Sequence, residues 1–150
     1  IKKFINANLN NHNIVKCWGS GNPLREFLHV DDLGAACVHV LEKWNPNNET
    51  APKDDKGNSL FYLNVGSEEE ISIKSLARKI AFITNFQGEI IWDTSKPDGT
   101  YRKNLDISRI KALGWEPKIK IDEGIKKTIK QIENLISDEN DLGSSLKNFY

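Results

Sequence analysis

No glycine-rich turn of the form GxGxxG or GxxGxxG occurs anywhere in this chain. Such a turn opens a doubly wound dinucleotide-binding sheet, because only glycines let the backbone close on a pyrophosphate. Its absence excludes that site from these residues. The apolar periodicities also lack a strict strand–helix–strand alternation, so a small mixed α/β lobe is expected rather than a complete doubly wound sheet.

The segments of that lobe follow from pattern. Residues 1–9 read as the end of an amphipathic helix, with Phe4 and Ile5 inward, stopped by an asparagine-rich stretch at 10–13. Residues 14–18 read as a strand. Gly19, Gly21 and Pro23 supply turn chemistry, and 25–30 read as a second strand, so that 14–30 suggest a hairpin-like unit. Asp31 or Asp32 is suited to cap a helix whose apolar stripe is Leu33, Ala36, Cys37, Val40, Leu41 and Trp44. The polar run 45–58, with two prolines and a glycine, is an exposed insertion. Residues 60–65 predict a strand ended by Gly66. Ser72 predicts a helix start, with Ile73, Leu76, Ala77, Ile80 and Ile83 inward as far as Thr84. A short strand at 89–92, a turn-rich loop at 93–100 and a short helix between Asp106 and Gly114 follow. The last helix spans 122–136, with Ile125, Ile129, Ile132 and Ile136 on one face, joined by Leu135. Residues 1–136 therefore form the domain, and 137–150 a polar C-terminal tail.

Composition narrows the function classes. The 21 basic and 21 acidic residues cancel, which argues against an electrostatic drive toward nucleic acid or anionic membranes. No apolar run approaches the roughly 20 residues of a membrane span. Cys17 and Cys37 stand 20 positions apart without metal-ligand spacing, so no metal site is expected, and both read as buried thiols of a reducing, cytoplasmic compartment. The chain opens on Ile1 and holds no methionine, which suggests that further polypeptide precedes it.

Few residues offer chemistry. Arg25 follows the Gly/Pro turn at the start of a strand, where a planar fork suits bidentate capture of phosphate or carboxylate. The commoner role of such an arginine is a surface ion pair. Trp18 borders the turn and can stack on a nucleobase, or else fill the core. In the loop 95–103, Asp98 can accept hydrogen bonds from ribose hydroxyls, and Arg102 and Lys103 can neutralise phosphate. An ordinary solvated turn would look the same. His29 reads as structural. A triad drawn from Cys17, His29 and Asp31 has no mechanical rationale at that spacing.

Together the segments resemble a known family. Trp18-Gly19-Ser20-Gly21-Asn22-Pro23-Leu24-Arg25-Glu26-Phe27-Leu28-His29-Val30-Asp31-Asp32-Leu33, followed by Leu63-Asn64-Val65-Gly66, resembles the C-terminal half of the extended short-chain dehydrogenases that act on nucleotide sugars. Ser95-Lys96-Pro97-Asp98-Gly99-Thr100, with Arg102-Lys103, Leu105-Asp106 and Leu113-Gly114-Trp115, is similar to the narrower branch of epimerase–reductases acting on GDP-4-keto-6-deoxy-mannose. The resemblance covers residues 1 to about 135, with Lys3 where an arginine can occur and Tyr101 where proline is frequent.

The resemblance implies that this chain is the substrate-binding lobe of an extended short-chain dehydrogenase. An absent Rossmann half would carry NADP, the catalytic residues and the homodimer contact. It implies substrate contacts at Lys3, Trp18, Arg25 and Asp98, with Lys103 a further candidate, and no catalytic, cofactor-binding or metal-binding residue in the chain itself. The implied ligand is a GDP-sugar. A UDP- or dTDP-sugar enzyme and a non-catalytic binding module remain alternatives.

Overall fold

A computed structural model of the protein describes residues 1–142. The elements run α1 (Lys2–Leu9), β1 (Ile14–Trp18), β2 (Leu24–Glu26), α2 (Val30–Lys43), β3 (Glu70–Ser72), α3 (Ile73–Ile83), β4 (Glu89–Asp93), β5 (Arg102–Lys103), α4 (Ser108–Ala112) and α5 (Ile121–Leu142). Strands β1 and β4 form a parallel pair in the register Ile14↔Glu89 to Trp18↔Asp93. The second sheet has the order β3-β2-β5, with β2 antiparallel to β3 and parallel to β5. The mixed α/β lobe expected from the sequence is the one observed.

Two apolar clusters hold it. In the first, Phe4 and Ile5 of α1 meet Val15 of β1, Ala77 and Ile80 of α3, and Ile125 and Ile129 of α5. Phe4 packs edge-on against Phe86, with centroids 5.5 Å apart. Each isoleucine buried there contributes about 1.5–3 kcal/mol of apolar transfer energy. In the second, Ala36 of α2 and Ile107, Ile110 and Trp115 pack with Leu28, Val40, Leu63 and Val65.

Four expectations need correction. The hairpin over 14–30 does not form: the ladder partner of β1 is β4, and β2 pairs with β3 and β5. The strand over 25–30 shrinks to Leu24–Glu26, because Val30 already begins α2. The cap of α2 is His29, whose side chain accepts the Asp31 N–H, rather than Asp31 or Asp32. Residues 60–65 form no ladder, although Leu60 is buried and Leu63 and Val65 pack into the second cluster.

Exposure corrects further readings. The apolar stripe of α2 is only partly covered: Ala36 is fully buried, Val40 packs against the same cluster, and Leu33 and Leu41 face outward. Cys37 is exposed and Cys17 half-buried, so the thiols are not a buried pair. Leu135 is exposed, off the isoleucine face of α5. That helix continues beyond residue 136 to Leu142, into the expected tail, whose remainder (143–150) lies outside the described residues.

The other helices follow their signals. Ser72 caps α3 by accepting the Ser75 N–H at 3.0 Å; Asp106, expected to cap α4, instead stands one residue before its N-cap Ile107 and accepts the Ser108 N–H at 2.9 Å. Gly114, at φ +92°, lets the chain leave α4.

Candidate functional site

Trp18 ends β1 beside Asp93, the last residue of β4, so the indole and the loop after β4 emerge together at the carboxyl end of a parallel pair. Ligands of open α/β sheets gather at such ends. Trp18 is 69% exposed, which sets aside its core reading. Two ammonium groups flank the ring: Lys3 Nζ lies 5.9 Å from its centroid and Lys96 Nζ 6.0 Å. Lys3 also donates to the Lys16 carbonyl at 2.9 Å, which holds its stem along β1.

The turn after Trp18 is built by two glycines. Gly19 and Gly21 adopt φ of +75° and +76°. A side chain at Gly19 would collide with Asp98 Oδ1, and one at Gly21 would lie 2.6 Å from the Trp92 ring. Asp98 binds this turn through its carboxylate, accepting the Ser20 N–H at 2.8 Å and the Ser20 hydroxyl at 2.5 Å. The Ser20 hydroxyl and then the Ser20 N–H hold the Asp98 carboxyl below its ordinary range. The turn carbonyls in turn serve α3, whose orphan amides at Ile73 and Lys74 donate to Pro23 and Gly21.

Arg25 sits on β2 in parallel register with Lys103 of β5. Both line a cavity of about 250 Å³ with Glu26, Gly66 and Leu105. Arg25 is half-buried, and its Nη1 donates to the Leu24 carbonyl at 2.6 Å. Neither Arg25 nor Lys103 forms an ion pair with any described carboxylate. Gly99, next to Asp98, passes so close to Arg25 that an added Cβ would lie 3.2 Å from Nη2. The loop 95–100 thus connects the Trp18 end of the site to the Arg25 end.

Arg102 differs from the reading that paired it with phosphate. Its guanidinium grips Glu70 with Nε and Nη2 at 2.6 and 2.5 Å, and that contact holds Glu70 below the usual carboxylate range. It ties β5 to β3 across β2.

Glu26, His29 and Asp32 of the Arg-Glu-Phe-Leu-His-Val-Asp-Asp run are engaged internally. Glu26 accepts N–H groups from Ser67, Glu68 and Leu105. His29 caps α2 as stated. Asp32, 4% exposed, accepts the Lys118 and Ile119 N–H groups at 3.1 and 2.8 Å. Within this run, Arg25 is the cation that no described carboxylate pairs.

All five residues singled out from sequence lie in this region: Lys3 and Trp18 at one end, Arg25 and Lys103 at the other, Asp98 on the loop between. Sequence reasoning missed Lys96, which stood in the quoted loop without an assigned role. It also missed Ser20, whose partner lies 78 positions away.

The comparisons with known proteins agree with this fold. The sequence profile of the NAD dependent epimerase/dehydratase family matches residues 1–51. "Probable GDP-L-fucose synthase 1" of Oryza sativa subsp. japonica is 42% identical over 138 residues, which is 91% of this chain and 38% of that protein. GDP-L-fucose synthase of Escherichia coli (strain K12) is 39% identical over 132 residues, 85% of this chain and 39% of that protein. Over the matched stretches the chain is similar to members of the NAD-dependent epimerase/dehydratase family. A solved GDP-L-fucose synthetase from Naegleria fowleri, bound to NADP, superposes with a TM-score of 0.72 at 27% identity, over 91% of this chain and 39% of that one. The chain thus spans about two fifths of the length of these relatives. The superposition gives the mixed α/β fold of this lobe a counterpart of known structure.

No described helix is long and apolar enough to cross a membrane. Among the described residues, no group of three or more His, Cys, Asp and Glu is arranged to hold a metal ion. Among the described residues, the glycine-paired turn at Gly19 and Gly21 that follows β1 leads into β2 rather than into a helix N-terminus.

Proposed function

We propose that this chain is the nucleotide-sugar-holding part of a GDP-L-fucose synthase, which converts GDP-4-keto-6-deoxy-mannose to GDP-L-fucose by epimerisation and NADPH-dependent reduction. The observation that carries the reading is the pairing of Arg25 and Lys103, two cations without acidic partners, on one cavity that a short loop links to the exposed Trp18. That is the chemistry a nucleoside diphosphate asks for: a guanidinium fork and an ammonium for the phosphates, an indole for the nucleotide.

In this reading Arg25 and Lys103 take the diphosphate, and Trp18 covers the nucleotide. Lys3 adds charge beside the indole. Asp98 offers the ribose hydroxyls the acceptor positions that Ser20 leaves free, since a carboxylate has about four. These contacts orient the sugar, and orientation is the lobe's contribution to rate. The NADP site, the acid/base chemistry and the homodimer contact belong to the remaining polypeptide, and the enzyme works in the cytoplasm. The relatives named above, each about two and a half times the length of the matched region, support that division.

The test is calorimetric titration of the full-length polypeptide with GDP, UDP and dTDP in parallel. GDP binding that is lost on Arg25→Ala is the expected result. Preference for UDP or dTDP would move the protein to a neighbouring branch. Tight nucleotide binding indifferent to Arg25 would remove the site from this lobe.

A further inference from the structure

We infer that Glu26 is the positioning residue of the anion-binding cavity, fixing Lys103 opposite Arg25; this rests on the nucleotide-sugar reading of that cavity. Glu26 follows Arg25 on β2 and lines the same cavity. Its carboxylate gathers three backbone N–H groups from two separate segments. Oε1 accepts from Ser67 and from Glu68 (3.3 Å), and Oε2 accepts from Leu105 at 3.1 Å. Gly66 makes room for this: any side chain there would collide with Oε1. Glu68 is held at φ +58°, a left-handed conformation rare for a residue with a side chain, and its N–H is one of those gathered.

The bound segments are the cavity walls. Gly66 and Val65 form one, and Lys103, Asn104 and Leu105 the other. The two-residue strand β5 ends at Lys103, and the Glu26 contact at Leu105 anchors the chain just beyond it. A group that accepts on both sides is required, because both walls present donors. A carboxylate meets that need. Glutamine does not: with its oxygen toward one wall, its amide hydrogens face the N–H of the other. Carboxylate–N–H bonds are also stronger than neutral ones, which suits a contact that closes two loops onto one strand.

Steady-state kinetics of the full-length enzyme test this with Glu26→Gln, Glu26→Asp, Lys103→Ala and the double variant Glu26→Gln/Lys103→Ala. Releasing Leu105 frees Lys103, so Glu26→Gln is expected to raise the GDP-sugar KM about tenfold with little change in kcat. Glu26→Asp, one methylene short of spanning both walls, moves the same way and keeps the test readable should the glutamine variant fail to fold. The double variant is expected to match Lys103→Ala alone, because Glu26 acts through that lysine. A purely structural role would lower kcat with the folded fraction and leave KM unchanged, and that result overturns the inference. So does a KM effect of Glu26→Gln that persists undiminished without Lys103. Arg25→Ala separates the two levels. If it leaves KM unchanged, the nucleotide-sugar reading fails. If it raises KM while both Glu26 variants do not, only the role of Glu26 fails.

Discussion

Asp98 and Ser20, 78 positions apart, are joined twice: one carboxylate oxygen takes the serine N–H at 2.8 Å and the other its hydroxyl at 2.5 Å. The pair latches the loop after β4 onto the turn after β1 and so sets the relative position of Trp18 and Arg25. Its strength is pH-dependent in a defined sense. The Ser20 hydroxyl, and then its N–H, favour the ionised carboxylate and depress the Asp98 pKa in the folded state. The latch therefore stabilises the fold fully above the ordinary aspartate range, and that contribution is lost as pH falls through the depressed value. Asp98→Asn should lower the urea midpoint at neutral pH, and the gap to the parent protein should narrow on acidification. A gap that stays constant into acid would mean the charge of Asp98 is not what holds the loops.

Arg25 is expected to dominate nucleotide binding because its guanidinium has no carboxylate partner and donates internally only to the Leu24 carbonyl among the described contacts. Replacing it with alanine should cost about 1.5–3 kcal/mol of GDP affinity, the usual worth of a hydrogen bond to a charged group. Lysine should recover only part of this, since a point charge replaces a fork. Calorimetry of the three proteins at two salt concentrations checks both statements. Equal affinities for the arginine and lysine forms would show that geometry at this position does not matter.

Much of this was legible in the sequence, for identifiable reasons. Helices α2, α3 and α5 announce themselves through apolar spacing and a capping serine, signals local to each segment. The membership of Trp18 and Arg25 in one region follows from a turn only a few residues long. Other features depend on partners that spacing cannot name. Residues 14–18 look like half of a hairpin, yet their ladder partner lies at 89–93. Strands β3 and β5 have three and two residues, too few to produce a pattern. Residues 60–65 have strand composition but leave Phe61 and Tyr62 exposed and pair with nothing described. The stripe on α2 records which face is apolar and says nothing of how much of it is covered. A sequence does not disclose that Glu70 already holds Arg102, nor that Asp98 has Ser20 as an internal partner.

Asp32 carries a stability prediction rather than a binding one. It is the buried carboxylate that closes the segment before α5 onto the first turn of α2. There it also meets the positive end of the helix dipole. Asp32→Ala leaves the Lys118 and Ile119 N–H groups without an acceptor and should destabilise by about 2–4 kcal/mol. Asp32→Asn keeps one acceptor oxygen and should cost less. Denaturant melts measure both, and a neutral alanine variant would show that water replaces the carboxylate at no cost.

Two glycines should respond in opposite directions to the same substitution. Gly34 lies within α2, and an added Cβ would meet nothing within 4 Å. Gly34→Ala adds a good helix former without crowding and should stabilise by about 0.5–1 kcal/mol. Gly19 has φ +75°, and its missing Cβ would occupy the place of Asp98 Oδ1. Gly19→Ala incurs the left-handed backbone cost of about 1–2 kcal/mol and breaks the latch as well. Its loss should therefore exceed the backbone term, and the excess should disappear in an Asp98→Ala background, where no carboxylate is left to displace. Thermal melts of the four proteins decide the matter. An excess that survives without Asp98 would mean the turn is held by contacts other than the carboxylate.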